Sequence, residues 1–174
     1  MYSLYIRGPT MLTPEEITKA KETTLSDNFT LYELIKSDNH LDCVFYPAKE
    51  VLALLYTIAG KVLQPIRNEV GKLRINSGYR NPILNSKVGG VDNSVHQYYL
   101  NNTQLGTAAD IVPLEASLED TFHWIIDNHR VLMLKTAIIY PSRGFIHVDT
   151  RNSRPEFVAM SSPSYGKYEF YTKE

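Results

Sequence analysis

The stretch Ser94–Asp110, SVHQYYLNNTQLGTAAD, brings a histidine and an aspartate together between two turn-rich segments. Its end opens a run, Thr107 to Val112, that reads as a strand. A second imidazole, His147, lies far downstream in the short alternating run GFIHVDTR. There Phe145, His147 and Asp149 share one strand face, and Ile146 and Val148 share the other. If the aliphatic face is core, the His and Asp look into a cleft. Two imidazoles and one carboxylate, with a place left for water, form a donor set that suits a catalytic zinc ion. Pattern alone does not decide the matter, because a single His in a strand is more often structural.

The neighbouring segments read as the frame for these pieces. Leu73-Arg74-Ile75-Asn76-Ser77 alternates as a half-buried strand does. Gly78 to Asn93 reads as a long loop, and a loop of that length in a compact domain is often functional. Lys49 to Val70 is the strongest helix. Val51, Leu52, Leu55, Ile58, Val62, Leu63, Ile66 and Val70 recur at spacings of three and four, and Pro65 should kink it. Thr13 with Glu16 and Thr30 with Glu33 have the form of capping boxes, and Phe29 and Leu34 are placed as a hydrophobic staple. Ser117 caps a further helix with Phe122, Trp124, Ile125 and Ile126 on its apolar side. Thr136–Tyr140 and Phe145–Thr150 read as strands joined by the turn Pro141–Gly144. Weaker strands are expected at Ser3–Arg7, Glu156–Met160 and Tyr168–Tyr171. Helices and strands follow no regular alternation and no internal repeat is visible, so the expected class is α+β.

The 174 residues suit one domain with a real core. A net charge of −1 argues against a partner such as nucleic acid, which needs a basic face. The 1 cysteine, Cys43, excludes an intramolecular disulfide and reads as a small buried residue. The opening MYSLYIRGPT lacks the basic-then-apolar form of a secretory signal, and no run approaches the roughly 20 apolar residues of a membrane span. Among the five histidines, His40, His123 and His129 lie in segments that explain them without function.

Several motifs in order resemble the M15 zinc peptidases. They are Ser77-Gly78-Tyr79-Arg80-Asn81-Pro82, Leu84-Asn85, Val88-Gly89-Gly90, Asn93-Ser94-Val95-His96, Gly106-Thr107-Ala108-Ala109-Asp110 and Phe145-Ile146-His147-Val148-Asp149. Asn28 to Lys36 and Val62-Leu63-Gln64-Pro65 resemble the branch common in phage proteins. The likeness runs from about Leu25 to Arg151. It implies a small antiparallel sheet with packed helices, the fold shared by D-Ala-D-Ala carboxypeptidases and the Hedgehog signalling domain. It implies zinc held by His96, Asp110 and His147, and action on peptidoglycan stem peptides. Zinc with an open position lowers the pKa of a bound water toward about 7 and polarises a peptide carbonyl. Arg80 resembles the family's site arginine, placed to hold a substrate carboxylate or steady an oxyanion. The alternative is that it braces its own loop. Ser94 reads equally as a contact near the metal or as a loop cap.

Two departures stand out. The family pattern is S-x-H-x-x-G-x-A-x-D, but here Asp110 follows His96 by 14 positions, twice that spacing. The inserted Tyr98, Tyr99 and Asn101 are expected to shape a substrate groove or a protein contact. Insertions in surface loops cost little. The family also places an acid or His shortly before the last His, and YPSRGFI has none. Asp149 is the nearest carboxylate, as general base, as the group that orients His147, or as a structural residue only, with catalysis weak or absent. Tyr140 is a candidate oxyanion donor, although a Tyr at a strand end is more often a packing residue. The leading expectation is a phage-encoded wall peptidase, released from the host cytoplasm by a holin or carried in a virion. Its rival is a non-catalytic virion or tail module that keeps the fold.

Overall fold

The computed structural model describes residues 11–164 and 166–171. The strand expected at Ser3–Arg7 lies outside these residues. The first helix, α1 (Pro14–Glu22), starts at the expected capping box, with Thr13 and Glu16 each accepting the other's backbone N–H. A hairpin of β1 (Thr24–Ser26) and β2 (Phe29–Thr30) then leads into α2 (Leu31–Ile35), capped in the same way by Thr30 and Glu33. Strands this short show no alternation, which is why the sequence does not announce them.

The helix expected at Lys49–Val70 is present as α3 (Lys49–Ile58) and α4 (Gln64–Val70), joined by a π turn at Ala59–Leu63. Pro65 accounts for the irregularity. It has no N–H to donate, and its ring crowds the carbonyl one turn back. The widened turn, in which Gln64 N–H reaches Ala59 O, lets the helix continue past it. The inward stripe of Val51, Leu55, Ile58, Val62, Leu63 and Ile66 is buried in the core. Gln64 is buried beside that stripe. Its carboxamide oxygen accepts from Ser26 Oγ at 3.1 Å and Asn28 N–H at 3.0 Å. Its nitrogen donates to Asn28 Oδ1 at 2.8 Å and Asn68 Oδ1 at 2.7 Å. One side chain thus ties the β1–β2 turn to the helix.

The remaining elements are β3 (Leu73–Ser77), α5 (Pro82–Lys87), β4 (Tyr99–Leu100), β5 (Thr103–Gln104), β6 (Ala108–Pro113), α6 (Leu118–Asp127), β7 (Thr136–Tyr140), β8 (Phe145–Asp149), β9 (Val158–Ser161) and β10 (Glu169–Phe170). Helix α5 interrupts the segment read as loop. Asn81 caps it by accepting the Leu84 N–H, and Pro82 takes the first turn. Six strands form one sheet in the order β10-β9-β7-β8-β6-β3. The α+β class is as expected, but the sheet is mixed rather than wholly antiparallel. Asp149, which ends β8, lies opposite Thr136, which starts β7. The chain then passes around that end, and Val158 also begins beside Thr136, so β9 runs parallel to β7.

Strand alternation separates core from site. Ile75, Ala109, Ile111, Ala137, Ile139, Ile146 and Val148 join the core with Phe122 and Ile125 of α6. On the intervening positions, Asp110, Ile138, Tyr140, Phe145 and His147 line a cleft of about 1260 Å³.

Candidate metal centre

Asp110 on β6 and His147 on β8 are direct cross-strand neighbours. His96 reaches them from a 3-10 turn at Val95–Gln97. The three side chains converge. His147 Nδ1 lies 2.9 Å from Asp110 Oδ1, and His96 Nε2 lies 3.4 Å from the same oxygen and 3.3 Å from His147 Nδ1. Donors bonded tetrahedrally to zinc at about 2.0–2.1 Å stand roughly 3.3 Å apart. The spacing therefore fits a zinc ion, and these residues form the His/Cys/Asp/Glu group able to hold a metal among the described residues.

The backbone around Gly78 explains how His96 is aimed. His96 Nδ1–H donates to Gly78 O at 2.8 Å, which leaves the Nε2 lone pair facing the other donors. Gly78 itself passes tightly over α2, where a Cβ would lie 2.3 Å from Leu34 O. Tyr79 N–H donates to the same Leu34 carbonyl at 2.7 Å, and Arg80 N–H donates to His96 O at 2.8 Å. The Arg80 side chain braces its loop and also reaches the cleft. Its Nε donates to Ser77 Oγ at 2.9 Å, bracing the loop, and its Nη2 lies 3.4 Å from Asp110 Oδ2 at the edge of the cleft. On the far side, Gly106 carries φ +127°, and a Cβ there would meet the Arg151 Cα at 2.7 Å. The strand bearing Asp110 can start there only with glycine.

Asp149 sits behind His147 and takes no part in lining the cleft. Its side chain is 0% exposed. His147 Nε2–H donates to Asp149 Oδ2 at 2.9 Å, so Nδ1 is the nitrogen turned to the centre. Arg151 occupies the rest of the carboxylate. Its backbone N–H donates to Oδ1 at 3.1 Å, its Nε donates to both oxygens at 2.9 Å, and its Nη2 bonds Oδ2. This is a carboxylate–histidine arrangement that fixes ring orientation and tautomer. Arg151 was not singled out from sequence, yet period two extends from His147 and Asp149 to it.

Electrostatics follow from burial and these pairs. Burial alone would lower the His147 pKa, but Asp110 and Asp149 on its two sides push it up to about 9. Burial would raise Asp110, but His96 and His147 hold it well below the usual carboxylate range. Burial opposes ionisation of Asp149 too, and His147 with Arg151 hold it low. His96 goes the other way, its pKa lowered by burial against the pull of Asp110. Burial and the neighbouring Tyr168 raise the Tyr140 pKa, so its hydroxyl keeps its proton.

The other expected residues divide. Ser94 lines the cleft and makes no capping bond, so its hydroxyl is not spent on the 3-10 turn. Tyr140 lines the cleft as well. Tyr98 does not. It is 0% exposed, its hydroxyl donates to Ala108 O at 3.3 Å, and its ring meets Tyr79 edge-on at 5.4 Å. The expected groove residue is a core anchor, because the insertion folds as the hairpin β4–β5 about Asn101-Asn102 and Tyr98 is its root. Asn101 and Asn102 have φ of 49° and 64°, the form a tight two-residue turn requires. It is Thr103, Gln104 and Leu105 of this hairpin that reach the cleft. His123 bonds the Tyr171 hydroxyl and His129 stacks on Phe157 at 4.1 Å, so neither joins the centre. His40 lines the cleft without belonging to the metal-holding group.

Among the described residues, no helix is long and apolar enough to cross a membrane. No curated protein matches the chain. The family model for Peptidase M15 matches residues 27–149. That span contains the convergent His96, Asp110 and His147, and the chain therefore belongs to the M15 family of metallopeptidases.

Proposed function

We propose that the protein is a zinc-dependent peptidase that hydrolyses peptidoglycan stem peptides, a phage-type wall enzyme of the D-Ala-D-Ala carboxypeptidase or endolysin kind. One domain carries the site, and delivery is by holin-type release or within a virion. The observation that carries the reading is the convergence of three metal donors in a cleft of about 1260 Å³. That volume exceeds the roughly 300–1,000 Å³ of a small-molecule pocket and suits a peptide.

His96 Nε2, Asp110 and His147 Nδ1 would hold the ion. Zinc there would supply Lewis acidity toward the scissile carbonyl and a water that is nucleophilic near neutral pH. The chain's own residues prepare that chemistry. Gly78 O fixes the His96 proton on Nδ1. Asp149 holds the His147 proton on Nε2 and acts as a positioning residue, since its oxygens are engaged away from the cleft. Arg80 steadies Asp110 from the cleft edge. The protonated Tyr140 hydroxyl is a donor for a developing oxyanion, and Ser94 offers a substrate contact.

One observation favours the rival reading, a non-catalytic binding module. Among the described residues, the carboxylates lining the cleft are Asp38 and Asp110. Asp38 pairs with Lys36 at 3.3 Å and Asp110 is a metal donor, which leaves no carboxylate free as base. Metal analysis of the purified protein, joined to a muropeptide digest with and without chelator, separates the readings. The enzyme is expected to carry one zinc and release product that chelation abolishes. Bound zinc with no product from any wall preparation would establish the binding module instead.

A further inference from the structure

We propose that Arg143, on the turn joining β7 to β8, binds a carboxylate of the peptide substrate, with the Tyr140 and Tyr168 hydroxyls as flanking donors. The inference rests on the peptidase reading above and adds a subsite to it.

The turn that carries Arg143 belongs to the hairpin that carries His147. Tyr140 and Phe145 face each other across that hairpin, and their rings stack at 4.4 Å. The guanidinium lies over this pair, 4.8 Å from the Phe145 centroid and 5.5 Å from that of Tyr140. Aromatic faces hold a guanidinium through its plane and leave the N–H edge free. That edge is a fork suited to a carboxylate.

The charges of the cleft point to the same residue. Five cationic side chains line it: Lys36, Arg80, Lys87, Arg143 and Arg151. Lys36 is paired with Asp38, Arg80 with Asp110, and Arg151 with Asp149. Among the described residues, neither Lys87 nor Arg143 has a carboxylate partner. Of these two, Arg143 has the planar fork and the platform that positions it. Arg80, the alternative suggested by its motif, already gives Nε to Ser77 and Nη2 to Asp110.

Tyr168 completes the arrangement. It lines the cleft, and its hydroxyl lies 3.5 Å from that of Tyr140. Two phenols this close can bond each other and still present one O–H outward. Tyr168 lies beyond residues 27–149, so the segment following the family match supplies one wall of the subsite.

The test measures binding to zinc-free protein, so that nothing is cleaved. Calorimetry would compare N-acetyl-Lys-D-Ala-D-Ala with its C-terminal amide. It would also compare a C-terminally amidated stem pentapeptide whose glutamate α-carboxyl is free with one in which that group is amidated. The wild type is expected to prefer the acid by about tenfold in one pair, the scale of a charged hydrogen bond. That pair identifies the carboxylate. Arg143→Gln should reduce the preference to within about twofold, Arg143→Lys should keep part of it, and Tyr168→Phe should weaken it less. Equal binding of acid and amide in both pairs, or a preference that survives Arg143→Gln, would overturn the proposal. A parallel cleavage assay on zinc-loaded protein keeps the two ideas apart. An Arg143-dependent preference without cleavage would leave the subsite standing and remove the peptidase. Cleavage without that preference would do the reverse.

Discussion

Asp149 touches His147 without lining the cleft. It holds the ring of His147 and is itself held by Arg151. Asp149→Asn should therefore weaken zinc binding about 10–100-fold, as read by competition with a chromophoric chelator. Unchanged zinc affinity with lost hydrolysis would instead make Asp149 the base. A second expectation concerns pH in the zinc-free protein. The His147 pKa is raised to about 9, so its contribution to stability is complete below the unfolded value of 6.5 and is lost as pH rises through 9. That contribution is worth roughly 3 kcal/mol. Urea midpoints should fall from pH 6.5 to 9.5 in chelator and hold steadier with zinc, which replaces the Nδ1 proton. A flat profile in chelator would contradict the buried ion pair. The convergence of His96, Asp110 and His147 was legible in the sequence because strand alternation and ordered motifs both bear on them. Whether Asp149 faces the substrate or the protein was not, because both answers put it on the same strand face. The decision depends on Arg151 folding back onto it.

At the level of elements, local chemistry was legible wherever a boundary has its own signal. The capping boxes at Thr13 and Thr30, the cap at Ser117 and the apolar stripe of α3 and α4 all appear where their residues place them. What stayed hidden depends on partners distant in the chain. Tyr98 looked like a groove residue because nothing nearby shows that Tyr79 and Ala108 enclose it. The kink expected from Pro65 takes the form of a π turn, and the Gln64 that closes it bonds the distant β1–β2 turn, a partner no local pattern shows. This makes Gln64 the element-scale test. Gln64→Ala removes a carboxamide that satisfies four hydrogen bonds and leaves Asn28 and Asn68 short of a partner. The expected loss is about 2 kcal/mol, or roughly 4–8 °C in melting temperature for a chain of this size. Zinc affinity should be unaffected. A melting temperature unchanged by the substitution would mean that water replaces the side chain without cost.

For the whole molecule, the metal is expected to act as a stabilising ligand. Free zinc at a hundred times its dissociation constant should add about 2.7 kcal/mol, raising the melting temperature by roughly 5–11 °C. No rise on adding zinc would count against the His96–Asp110–His147 centre. The sheet order carries a further consequence, for kinetics. β8 lies between β7 and β6 inside the sheet, although it follows both in the chain. His96 and His147, 51 residues apart, meet only after β8 has been inserted against β6. Contacts between such distant residues close a long loop before they return any energy, and so they form late. The three donors are therefore expected to assemble after the folding barrier. A ligand that binds only beyond the barrier lengthens the life of the native state without hastening its arrival. In stopped-flow experiments zinc should slow unfolding in proportion to its concentration and leave the refolding rate where it was. Once loaded, the protein would owe its endurance to slow escape from the native state, not to rapid return.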